Sequence, residues 1–83
     1  MIVHRETCEV RLSGWREGAL KVSAVETIRE HTNMGLAQAK EAVDHSLEGH
    51  VIVFTFDALA PAARFSDALN KTGFIAEVFK SDS

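Results

Sequence analysis

Cysteine is almost missing from this sequence: Cys8 stands alone among 83 residues. No intrachain disulfide can form, so the fold must hold by packing, which suits a reducing compartment. Long apolar runs are missing too. The best is Val51–Phe54, broken by Thr55, against the roughly 20 residues that span a bilayer. At the N-terminus His4, Arg5 and Glu6 stand where a secretory leader needs its apolar stretch, so secretion is not expected. The expectation is a soluble, cytoplasmic chain. No charge of one sign dominates: 9 Lys and Arg stand against 12 Asp and Glu, a net charge of −3. A mildly acidic surface repels phosphates, so neither nucleic acid nor membrane is expected as a direct partner.

Catalytic signatures are also lacking. Ser13, Ser23, Ser46 and Ser66 fall in turn, cap or helix contexts, none in a Gly-x-Ser-x-Gly elbow. Gly14 and Gly18 frame a turn carrying Trp15 and Glu17, a poor cradle for a phosphate. No catalytic residue, no cofactor and no enzyme activity is expected. What is present is an ordinary globular composition, 46% hydrophobic and 25% charged, long enough for one domain over residues 1–83 with a modest core.

The periodicity supplies the elements. Thr7–Leu12 alternates, with Cys8, Val10 and Leu12 on one side, as a strand with one buried face requires. Ser13–Gly18 reads as a polar turn bracketed by glycines. From Lys21 the period becomes helical, with Val25, Ile28 and Thr32 on one face. Ser23 and Glu26 form a capping-box pair from which the helix would start, and Asn33 would close it in the left-handed conformation. Gly35 leads into a second helix with Leu36, Ala39, Val43 and Leu47 as its apolar stripe and Gly49 at its end. Its opposite side carries Glu41, Asp44, His45 and Glu48.

Val51–Phe56 reads as a strand, apolar on both faces, so that both are covered or part of it meets a partner. Asp57 is placed to cap a third helix, with Pro61 in its first turn and Ala62, Phe65 and Leu69 buried. Thr72-Gly73 closes that helix, Phe74–Phe79 is the last strand, and Ser81–Ser83 is a frayed end. The order strand-helix-helix-strand-helix-strand predicts an α+β two-layer sandwich: a small, mainly antiparallel sheet with three helices on one face. Its expected core includes Val10, Val25, Ile28, Leu36, Val43, Phe65 and Leu69.

Lys21–Glu30, followed by Met34-Gly35-Leu36-Ala37-Gln38-Ala39-Lys40-Glu41-Ala42-Val43, resembles the C-terminal domain of the bacterial ribosomal large-subunit stalk protein, the seven/twelve family. The Gly-Leu-x-x-Ala-Lys-x-x-Val signature at Gly35–Val43 is its most specific part. The Thr-Gly turn and closing strand within Leu69–Val78 fit as well, and the likeness runs from about Thr7 to Lys80. The resemblance implies a non-catalytic module that recruits translation factors through its first two helices. The matching positions are Lys21, Val22, Val25, Arg29, Gly35, Leu36 and Lys40.

Spacing alone puts Val22, Glu26 and Arg29 on one helical stripe, an apolar residue flanked by charges as in a small recognition surface. Glu26 stands where the family usually has lysine, so the segment Lys21–His45 carries a net charge of −1 and would attract acidic factors less strongly. Only six residues precede Thr7, so the resemblance implies a free-standing relative without the family's dimerisation segment and hinge. The Clp protease adaptor, which delivers substrates to a AAA+ unfoldase, has the same general architecture and is the alternative. His45–Gly49 is similar to its His-x-x-Gly segment with one residue more, and Ser13–Gly18 lacks its acidic character.

Five residues invite sharper readings. Cys8 alternates with Val10 and Leu12, so a buried structural thiol is expected rather than a nucleophile. Glu41 and His45 lie one helical turn apart, but without the spacing of a closed zinc site they are expected to be solvated and to hold no metal. Glu26 has two roles open to it, the third residue of a capping box or a charge that selects partners. Trp15 either folds over the sheet edge, the favoured arrangement, or stands exposed as an anchor for a partner.

Overall fold

The alternating pattern around Cys8 becomes the central strand of the sheet. A computed structural model describes residues 7–81. The reading of Met1–Glu6 as no secretory leader, and that of residues 82–83 as frayed, lie outside the described residues, whereas Ser81, expected in the frayed end, is the last residue of the final strand, where it pairs with Thr7. β1 (Thr7–Trp15) lies between β2 (Ile52–Phe56) and β3 (Phe74–Ser81), giving the order β2-β1-β3 with both pairings antiparallel. Three helices complete the chain: α1 (Lys21–His31), α2 (Leu36–Leu47) and α3 (Leu59–Lys71). The fold is the expected α+β sandwich in the expected order. α2 and α3 pack on the strands, and α1 packs on α2 and α3. Among the described residues no helix is long and apolar enough to cross a membrane.

The core sits between sheet and helices. Cys8, Val10 and Leu12 are fully buried, and with them Ile28, Val43, Phe65, Leu69 and Phe74. Phe65 is the hub: Phe54 meets it edge-on at 4.9 Å, with Phe56 at 5.3 Å and the His31 ring at 5.6 Å. The opposite sheet face is open. Val53, Arg11, Glu77 and Phe79 are exposed there, and Arg11 lies 4.0 Å over the Phe79 ring. The two-sided apolar character of β2 therefore corresponds to one covered face, while Val53 remains in solvent.

Local corrections have physical causes. The strand does not stop at Leu12: a register shift between Leu12 and Gly14 lets β1 continue to Trp15, opposite Phe74. Such a bulge absorbs an extra residue and curves the strand, so the turn is confined to Arg16–Gly18. α1 begins two residues before Ser23. Leu20 is its cap, held by its own N–H donating to the Thr72 carbonyl at 2.8 Å, and no side chain caps the helix. The Ser23–Glu26 capping box is thus displaced into the helix, where Thr27 Oγ1 donates to the Ser23 carbonyl.

Asn33 does not take a left-handed conformation; every positive-φ residue described is a glycine. Thr32 ends α1 instead, its Oγ1 donating to the Ile28 carbonyl at 2.6 Å and accepting from Met34 N–H at 3.2 Å. At the end of α2, Gly49 has φ +100° and completes a Schellman closure: His50 N–H bonds the His45 carbonyl and Gly49 N–H the Ser46 carbonyl. Asp57 does not cap α3. Ala58 takes that position, and Pro61, third in the helix, lacks the N–H that a capping oxygen would bond.

Gly73 is required twice over. Its φ is +93°, and a Cβ there would lie 2.8 Å from Ala19 Cα, inside any real contact. That close approach joins the α3–β3 turn to the segment leading into α1, where Arg16 N–H and Leu20 N–H donate to the Gly73 and Thr72 carbonyls.

Candidate functional site

α1 and α2 pack against each other and leave a groove on their solvent side. Val25, 5% exposed, belongs to the core and also lines the groove. Val22 and Leu36 supply apolar walls and are 72% and 47% exposed. Leu36 was expected in the core. As the first residue of α2 it lies where the helix has just left the turn, and the buried stripe runs through Ala39, Ala42, Val43 and Ser46. Lys21, Arg29, Lys40 and Glu26 complete the lining.

The groove encloses about 150 Å³. Pockets for small-molecule ligands run to roughly 300–1,000 Å³, so this one suits a single inserted side chain. Glu26 and Arg29 also line the neighbouring depression with Glu30 and Met34, which makes them the ridge between the two.

Of the residues singled out from sequence, Lys21, Val22, Val25, Glu26, Arg29, Leu36 and Lys40 come together here. Gly35 does not line the groove. It is the extended N-terminal cap of α2, exposed, with φ −77° and open space around it. Its contribution is to the entry of the helix. Asp44 had been placed on the solvated side and belongs to the site: Lys21 Nζ lies 2.5 Å from Asp44 Oδ1, tying the start of α1 to the third turn of α2. The available signal was its position one helical turn beyond Lys40, which puts both on one face.

Other candidates take structural places. Cys8 is fully buried under the helices. Ser46 and Ser66 are buried and donate to the carbonyls of Val43 and Ala76. His45 faces His50 with ring centroids 5.9 Å apart, both exposed, and among the described residues no three metal-ligating side chains converge. Trp15, favoured to fold over the sheet edge, is 45% exposed. It stands at the end of β1, opposite Phe74 of β3.

Fold and site together describe a small α+β domain whose shaped surface is an apolar cleft with charged walls. Comparison with protein-family models, with characterised proteins and with solved structures finds no match.

Proposed function

We propose that this chain is a non-catalytic, cytoplasmic protein-binding module that docks a partner on the α1–α2 groove, as its resemblance to the ribosomal stalk domain implies, with a translation factor as the partner. One observation carries the reading: Lys21, Val22, Val25, Glu26, Arg29, Leu36 and Lys40, all chosen from sequence for this role, line a single cleft although they come from two helices, and only Gly35 falls outside it. An apolar floor inside a charged rim is the anatomy of a recognition surface. Asp44 neutralises Lys21, which leaves Arg29 and Lys40 against Glu26. That rim fits an apolar anchor flanked by carboxylates.

The test begins with affinity capture from native cytoplasm and continues with titration of wild type, Arg29→Ala and Glu26→Lys against the captured factor at two salt concentrations. Arg29→Ala should cost more than about 1 kcal/mol of binding with little loss of stability. Glu26→Lys should raise affinity for an acidic translation factor, chiefly by faster association at low salt. If neither substitution changes the affinity of the captured protein, the groove is not its docking site.

A further inference from the structure

The two edges of the sheet are unlike. On β3, Ala76 N–H donates to Asn70 Oδ1 at 2.9 Å, and Asn70 Nδ2 and Ser66 Oγ donate to the Ala76 carbonyl at 3.0 and 3.1 Å. The N–H and C=O of one strand residue point the same way, so these are the groups β1 does not use. That edge is clamped by its own helix and also carries Glu77 and Lys80. β2 has neither protection. Ile-Val-Phe-Thr-Phe contains no charge, proline or glycine, the residues that ordinarily blunt an edge. Among the described residues its one strand partner is β1.

Beside β2 runs an open groove of about 380 Å³ between the strand and the α1–α2 turn. Val53, Phe54 and Thr55 form one wall; Thr32, Asn33, Met34 and Gln38 come from the other side. None of them is charged, in a chain with 21 charged residues, 9 basic and 12 acidic. Three other surface depressions, including the α1–α2 groove, all contain charged residues.

We propose that β2 is the seam of a homodimer, in which two copies pair their β2 strands antiparallel across a twofold axis and join two three-stranded sheets into one of six. The absence of charge selects the occupant. A twofold axis sets a patch against itself, so an uncharged one meets its copy without like-charge repulsion, whereas a chain of net charge −3 repels its copies elsewhere on its surface. The amides of Asn33 and Gln38 and the hydroxyl of Thr55 both donate and accept, so they are complementary to themselves.

The register follows from the strand. Centred on Phe54, the pairing sets Ile52 opposite the second copy's Phe56, and Val53 opposite its Thr55. Ile52 and Phe56, half-buried on the helix side, lose their remaining exposure. A seam of five residues per copy is smaller than the roughly 800 Å² per partner of a standard interface, so the dimer is weak and concentration-dependent.

The experiment is sedimentation equilibrium of the full chain from micromolar to millimolar concentration, with amide exchange of residues 52–56 followed across the same range. The expected result is a monomer–dimer equilibrium with β2 amides more protected at the high end. Val53→Lys and Thr55→Glu should each weaken it by at least about tenfold by charging the edge, and mixing the two variants should restore association because those positions face each other. Phe79→Ser on the open sheet face and Val22→Asp in the α1–α2 groove should leave it unchanged. A monomer at every concentration would overturn the proposal. So would a dimer whose β2 amides are no better protected than in the monomer, one that depends on Phe79 or Val22 instead, or variants that fail to complement.

Discussion

Asn70 meets the backbone of Ala76 at two points, accepting from its N–H at 2.9 Å and donating to its carbonyl at 3.0 Å. One α3 side chain thereby satisfies the outward groups of an edge-strand residue. Asn70→Ala leaves the Ala76 N–H unpaired and should destabilise the fold by about 1–3 kcal/mol. Ser66→Ala leaves the carbonyl still bonded by Asn70 and should cost less, about 0.5–1.5 kcal/mol. Urea midpoints at unchanged m-value rank the two, and a larger loss at Ser66 would contradict the clamp.

Glycine replacements separate backbone strain from steric contact. Gly49 and Gly73 both have positive φ, but only Gly73 faces a close neighbour, with Ala19 Cα 2.8 Å from an added Cβ. Gly49→Ala should cost about 1 kcal/mol. Gly73→Ala should cost clearly more, since the Ala19 backbone must move. Gly35→Ala, at φ −77° in open space, trades a poorer N-cap against a less flexible unfolded chain and should cost only a few tenths of a kcal/mol. Thermal denaturation of the three variants checks the order.

Helix boundaries make a separate prediction. A capping serine would lose about 1 kcal/mol on truncation to alanine, but Ser23 lies inside α1 and its side chain caps nothing. Ser23→Ala should therefore be neutral within about 0.5 kcal/mol. Thr32→Val removes the hydroxyl that links the Ile28 carbonyl to Met34 N–H and should cost about 1–2 kcal/mol. A destabilising Ser23→Ala with a silent Thr32→Val would restore the capping-box start.

The Lys21–Asp44 pair is about half exposed on both sides, so its contribution to stability should be small. A double-mutant cycle with Lys21→Ala and Asp44→Ala should give a coupling of about 0.2–1 kcal/mol that shrinks with added salt. Coupling well above that range would make the pair a principal brace between α1 and α2.

The sequence by itself determined the element order and most of the core. Alternation at Cys8, Val10 and Leu12, and helical spacing at Ala62, Phe65 and Leu69, each need a buried face and leave few ways to supply one. It also put Val22, Glu26 and Arg29 on one stripe, a local property of one helix, while the packing of α1 on α2 decided that Leu36 and Lys40 join them in the groove and Gly35 does not. The start of α2 after Gly35 was legible, but that of α1 was not, because it depends on a distant partner: Leu20 is fixed by Thr72, and that contact overrides the local preference of Ser23. Nor was the pairing of Lys21 with Asp44, which exists only because α1 and α2 pack side by side. The exposure of Leu36 and of Val53 was decided the same way. Hydrophobicity says that a residue gains by burial, but only the packed arrangement says whether another element is there to cover it.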